Sequence, residues 1–161
     1  MRIGITGHRQ FDDPSALPWV EKCIRDRLSP QAELWGITAL AKGADQLFAR
    51  VVLELGGTLE AVLPFPGYAE SFEDSAESAG FRELIGRCNK VTELEFAGSK
   101  EQSYLAAGQY VADDSELLIA VWDGKPAAGL GGTGDVVSYA RLKGKRVYQI
   151  NPASRTAAEI P

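Results

Sequence analysis

Cysteine, histidine and basic charge are all scarce in this chain of 161 residues. Cys23 and Cys88 are its two cysteines, with no C-x-x-C pair, and His8 is its one histidine. That scarcity excludes a disulfide framework or a zinc site and predicts neither a metal nor a resident cofactor. Seventeen Lys and Arg stand against 22 Asp and Glu, for a net charge of −5. The acidic balance counts against DNA as a partner, though it leaves room for a local positive pocket. No apolar run approaches the ~20 residues of a membrane span. The opening "MRIGITGHR" has a short apolar run and no cleavage pattern, so it does not read as a signal peptide, and the expected compartment is the cytoplasm. What remains is an ordinary globular composition, 45% hydrophobic and 24% charged, long enough for one domain with a real core. Repeats, linkers and low-complexity stretches are missing, and homo-oligomerisation is left open.

Short apolar runs alternate with helical periods along the chain. "RIGIT", "LWGIT", "LEAVLP", "KVTELEF", "ELLIAVW" and "RVYQI" read as strands. Between them, helices are expected over Pro18–Leu28, Ala44–Leu55, "FRELIGRC", Gln102–Ala112 and Asp135–Leu142, several closed by glycine. Such alternation predicts an α/β fold: a single Rossmann-like domain of three layers with a mostly parallel sheet of about six strands. The domain is placed over residues 1–152, with 153–161 as a frayed C-terminal tail. Right-handed crossovers put every strand-to-helix loop on one edge of that sheet, where ligands of such folds sit.

The polar, glycine-rich and aromatic parts of the chain all fall on that edge. Thr6, Gly7, His8 and Arg9 follow the first strand, and Lys42, Gly43 and Asp45 follow the second. Pro66 and Tyr68 follow the third, Trp122 and Asp123 the fifth. Beyond these comes "AGLGGTGDVV", in which Gly129, Gly131, Gly132 and Gly134 surround Thr133 just before a helix. A helix start offers free N–H groups and partial positive charge, and glycines let an anion approach without Cβ interference. Arg9 and Lys42 would add charge-assisted contacts to a phosphate.

Each residue also has a plainer reading. The glycines can serve tight turns alone, and His8 can satisfy a carbonyl rather than touch a ligand. Tyr68, Phe72 and Trp122 can stack on a base or fill the core. Lys42 can be solvated. Asp45 and Asp135 can answer a helix dipole, and Asp123 can hold a ribose hydroxyl or cap the turn at Gly124. Gly129, Gly131 and Gly134 fit G-x-G-x-x-G, but six residues separate them from Trp122 and they lie in the last unit, unlike a dinucleotide fingerprint.

Together, "ITGHR", "ALAKGAD", "LPFPGY" and "IAVWDGKPAAGLGGTGD" resemble the SLOG superfamily. That group includes the LOG (lysine decarboxylase-like) phosphoribohydrolases, the Smf/DprA DNA-processing proteins and stand-alone nucleotide-sensing domains. The resemblance implies a Rossmann-like fold holding a nucleotide or nucleotide-derived ligand, with Gly7, Gly43, Gly131, Gly132 and Thr133 against phosphate or ribose. It also implies a test of chemistry. LOG hydrolases carry a pattern like P-G-G-x-G-T-x-x-E; aligned on Gly131 to Gly134, the glutamate place here is Ser138 and the proline place Leu130. A serine supplies no carboxylate for an oxocarbenium-like centre. The first expectation is therefore a nucleotide-binding, sensor-type module. An N-glycosidase using Asp135 with Arg9 is the alternative, and a Smf/DprA-like DNA-binding protein a weaker one.

Overall fold

A computed structural model describes residues 1–73 and 75–161. In chain order its elements are β1 (Arg2–Gly7), α1 (Leu17–Leu28), β2 (Trp35–Thr38), α2 (Ala44–Glu54), β3 (Thr58–Leu63), α3 (Ser75–Ile85), β4 (Lys90–Glu93), α4 (Lys100–Asp113), β5 (Leu117–Val121), α5 (Thr133–Leu142), β6 (Arg146–Asn151) and β7 (Thr156–Ile160). Among the described residues the strands form one sheet in the order β4-β3-β2-β1-β5-β6-β7. All neighbours are parallel except β6 and β7.

The period-2 geometry of β5 sorts the core. Leu117, Ile119 and Val121 join one apolar cluster with α1 and α2 residues such as Val20, Ile24 and Phe48. Leu118 and Ala120 join the other, with Val111, Val136 and Ala140 of α4 and α5. Helices thus cover both faces, and β5 is buried along its whole length, as a central parallel strand must be. The expected three-layer α/β architecture is the observed one. No described helix is long and apolar enough to cross a membrane.

Three differences from the sequence reading have local causes. Residues 153–161 are not a frayed tail, since Thr156–Ile160 pairs antiparallel with β6 as a seventh strand. The Asn151 side chain starts the reversal by accepting the amides of Ala153 (3.0 Å) and Ser154 (3.2 Å). β4 stops at Glu93 rather than Phe96, opposite Leu63 where β3 ends, and the last bond between them runs from the Leu94 amide to the Leu63 carbonyl at 2.9 Å. α4 begins at Lys100, where Ser99 caps it by accepting the Gln102 amide at 3.1 Å. Buried charge is paired: Glu60, fully buried in β3, accepts from Arg2 (2.8 Å) and Trp35 Nε1 (3.1 Å) and meets Lys90 at 2.9 Å.

Strand order reverses direction between β1 and β5. Chain leaving β1 runs to one side of the sheet, and chain leaving β5 runs to the other. The crevice that opens at such a reversal, beyond the carboxyl ends of the two strands, is where the site must be sought.

Candidate functional site

The ends of β1 and β5 stay in register into their loops. Gly7 pairs with Val121, and the His8 amide donates to the Val121 carbonyl at 3.1 Å. His8 then turns its ring to the β5 loop, where Nε2 accepts the Asp123 amide at 3.2 Å. Its structural task is to satisfy a backbone N–H, not the carbonyl that the plainer reading supposed. Asp123 Oδ1 accepts the Lys125 amide (3.0 Å) and holds the turn at Gly124, whose φ is +85°. Trp122 is fixed by its own loop through Nε1 to the Lys125 carbonyl, 2.8 Å. Arg9 differs from all of these. It is exposed, makes no hydrogen bond among the described residues, and lies over the Tyr104 ring at 4.6 Å.

The β2–α2 loop is held by the first turn of its own helix. Leu40 takes a left-handed φ of +55°. Its amide donates to Thr38 Oγ1 (3.0 Å), and its carbonyl accepts from Gln46 Nε2 (3.3 Å). Asp45 Oδ2 accepts the Ala41 amide at 3.3 Å. Asp45 is 6% exposed. Burial drives its carboxyl from 3.8 up to about 7, against the opposing pull of the Ala41 amide and the Arg9 charge. Lys42 turns toward α3, with Nζ 3.5 Å from Glu77.

In the β5–α5 loop the glycines answer to protein atoms first. A Cβ on Gly131, where φ is +85°, would stand 2.6 Å from the Glu101 carbonyl oxygen at the start of α4. At Gly132 it would meet the Ala127 Cβ at 2.9 Å, and at Gly134 the Ala127 amide nitrogen at 2.8 Å. The loop folds on itself and on α4, and only bare backbone fits. Gly43 likewise sits against the His8 and Arg9 carbonyl oxygens, at 2.5 and 2.6 Å. Gly129 alone in the loop has open space around it. Asp135 spends its carboxylate inside this loop, where Oδ2 accepts the Gly131 amide at 3.0 Å. The amides of Thr133 and Gly134, first in α5, have no partner among the described residues.

These loops enclose a cleft of about 540 Å³. It is lined by Thr6, Gly7, His8 and Arg9 after β1, by Trp122, Asp123 and Gly131 to Gly134 after β5, and by Asp45 and Tyr68. Lys42, Gly43, Pro66 and Asp135 do not line it. Pro66 is exposed, and Phe72 is spent on packing, with its ring 5.0 Å from Phe81. Among the described residues, the carboxylates facing the cleft are Asp45 and Asp123. Ser138 is exposed on α5 away from the cleft, whereas Val136, one half-turn earlier, lines it. Sequence reasoning missed Tyr104 and Gly108 of α4 as cleft residues. Their four-residue spacing puts both on one helix face, which was legible as a core stripe and not as a wall.

No family model and no curated protein matches the chain. Solved structures do. The chain is similar to DNA processing protein A from Streptococcus pneumoniae, with a TM-score of 0.68 and 21% identity, over 92% of this chain and 49% of that one. It is similar to DNA processing protein A from Helicobacter pylori, with a TM-score of 0.63 and 18% identity, over 92% and 64%. It is also similar to the molybdenum cofactor carrier protein from Chlamydomonas reinhardtii, with a TM-score of 0.56 and 19% identity, over 92% and 74%. The chain thus spans about half the length of the first of these and under two thirds of the second. What the chain shares with these structures is a Rossmann-like three-layer α/β fold.

Proposed function

We propose that the protein binds a nucleoside phosphate or a nucleotide-derived ligand in the strand-end cleft and works as a binding, sensor-type module. One observation carries the reading. Thr133 and Gly134, whose amides open α5 without a partner among the described residues, line the same cleft as Arg9, whose guanidinium has no hydrogen bond among those residues. Helix-start amides and a free guanidinium are complementary to phosphate. At about 540 Å³ the cleft also has the size of a small-molecule site. Trp122 gives it an aromatic side chain on which a base can stack, whereas Tyr68 is packed among Phe65, Phe72 and Phe81 and Tyr104 lies under Arg9. The similar protein from Chlamydomonas reinhardtii is a carrier of the molybdenum cofactor, so a protein of this fold holds a small molecule.

Hydrolysis is the weaker reading. Asp135 is committed to the Gly131 amide, and the α5 residues that line the cleft, Thr133, Gly134 and Val136, are not acidic. Asp123 is committed to its own turn. That leaves no carboxylate on α5 beside a bound ribose. DNA processing protein A from Helicobacter pylori binds single-stranded DNA; for this chain that reading is opposed by the net charge of −5.

Native mass spectrometry of gently purified protein is expected to show a co-purified mass of a nucleotide or nucleotide derivative. Incubation with 5′-AMP is expected to release no free adenine at ordinary enzyme rates by liquid chromatography. Adenine release that is lost in Asp135→Asn would replace the binding reading with the hydrolase. A single-stranded oligonucleotide that binds while mononucleotides do not would replace it with the DNA reading.

A further inference from the structure

Among the described residues, Asp45 is the one buried carboxyl that lines the cleft. It is 6% exposed and lines the cavity. Its Oδ2 takes the Ala41 amide, so the group is held in place whether or not it carries a proton. The groups facing it come from every neighbouring element. Arg9 at the end of β1 and Tyr68 after β3 act on it electrostatically, the Thr38 side chain and the Ala39 amide add hydrogen bonds from the β2 end, and His8 and Tyr104 line the same cavity. On its own loop, Lys42 turns away to pair with Glu77 of α3. Tyr68 stays an uncharged phenol, since burial and then the Asp45 charge push its pKa well up. The cation that favours the Asp45 carboxylate is therefore Arg9.

Arg9 is also the guanidinium that an incoming phosphate would engage. A phosphate dianion placed there neutralises the charge that stabilises the Asp45 carboxylate and adds like-charge repulsion. A buried carboxyl that cannot move off its backbone partner has one response, which is to take a proton. Resting on the nucleoside-phosphate reading above, we propose that the cleft binds a phosphomonoester as its dianion together with one proton taken up on Asp45, so that ligand affinity is coupled to pH. The balance is complete: the proton comes from solvent, ends on an Asp45 carboxyl oxygen, and no other bond is made or broken. Burial already poises that carboxyl at about 7, so the coupling operates near neutrality.

Calorimetric titration of 5′-AMP at pH 7.5, in buffers of different ionisation enthalpy, reads the proton directly. At that pH a phosphomonoester, with its second pKa of about 6, is mainly the dianion. Net uptake of roughly half to one proton per ligand is expected in the wild-type protein, with affinity falling by up to about tenfold per pH unit between pH 8 and 9. In Asp45→Asn the uptake should vanish and the affinity should hold its low-pH value at pH 9. Binding without proton uptake, proton release, or uptake that persists in Asp45→Asn overturns the proposal while leaving nucleotide binding intact. If the variant does not fold, the wild-type pH profile decides alone, and a flat profile overturns the proposal. Absence of any 5′-AMP binding removes the underlying reading and the proposal with it.

Discussion

Gly43→Ala is expected to destabilise the protein by about 3–5 kcal/mol and to abolish ligand binding. Two costs add. The backbone at Gly43 has φ +81° and ψ −125°, a region almost closed to residues with a Cβ. That Cβ would also lie 2.5 Å from the His8 carbonyl oxygen and 2.6 Å from that of Arg9, and both neighbours are main chain. The β1 and β2 loops are in contact here, and next to Gly43 the Ala44 amide donates to the His8 carbonyl at 3.2 Å. Relief would push the His8–Arg9 loop outward and take Arg9 out of the cleft. Urea unfolding of the variant measures the first effect. A loss below about 1 kcal/mol would show that the loops have slack the structure does not display.

The second large effect is in pH. A carboxyl with a folded pKa raised from 3.8 to about 7 contributes stability that is fully present below pH 4 and lost as pH rises toward 7. Between pH 4.5 and 7.5 Asp45 is expected to remove about 3 kcal/mol from the wild-type unfolding free energy. Other carboxylates pull the opposite way. Glu60 is held low by Lys90, Arg2 and Trp35 in spite of its burial, and Glu159 is held low by Arg146. The measurement is therefore the difference between wild type and Asp45→Asn, by urea unfolding at both values. Asp45→Asn should gain on the wild type as pH rises. Parallel curves would place the Asp45 carboxyl near its ordinary range.

Much of the fold was legible because its signals are local and repeated. β5 reads as a buried strand from "LLIAV" alone, and α2 declares its face through Phe48, Val51 and Val52. What was not legible is carried by single turns. β7 has an alternation too weak to see, and it depends on the Asn151 side chain reversing the chain. The site shows the same division. Glycine density marked the carboxyl edge of the sheet, where the cleft lies, because loops converging at strand ends need close approach. It did not reveal what approaches. Gly43, Gly131, Gly132 and Gly134 admit neighbouring backbone and side-chain atoms of the protein itself. Sequence likewise could not assign Lys42 to Glu77, Asp135 to the Gly131 amide, or the cleft-facing place on α5 to Val136 rather than Ser138. The first depends on how the turn before α2 aims its side chain, and the other two on how α5 is rotated about its axis, where a one- or two-residue difference decides.

Titration of 5′-AMP into wild type, Arg9→Ala and Lys42→Ala by calorimetry is the most direct measurement of the central claim, that the cleft at the β1–β5 reversal holds a nucleoside phosphate. Saturable one-to-one binding is expected in the wild type. Arg9→Ala should weaken it roughly 10- to 100-fold, the ~1.5–3 kcal/mol of a charge-assisted hydrogen bond, and Lys42→Ala should leave it within about twofold because its side chain lies outside the cleft. Equal affinity in the wild type and Arg9→Ala, or a loss confined to Lys42→Ala, would contradict the account.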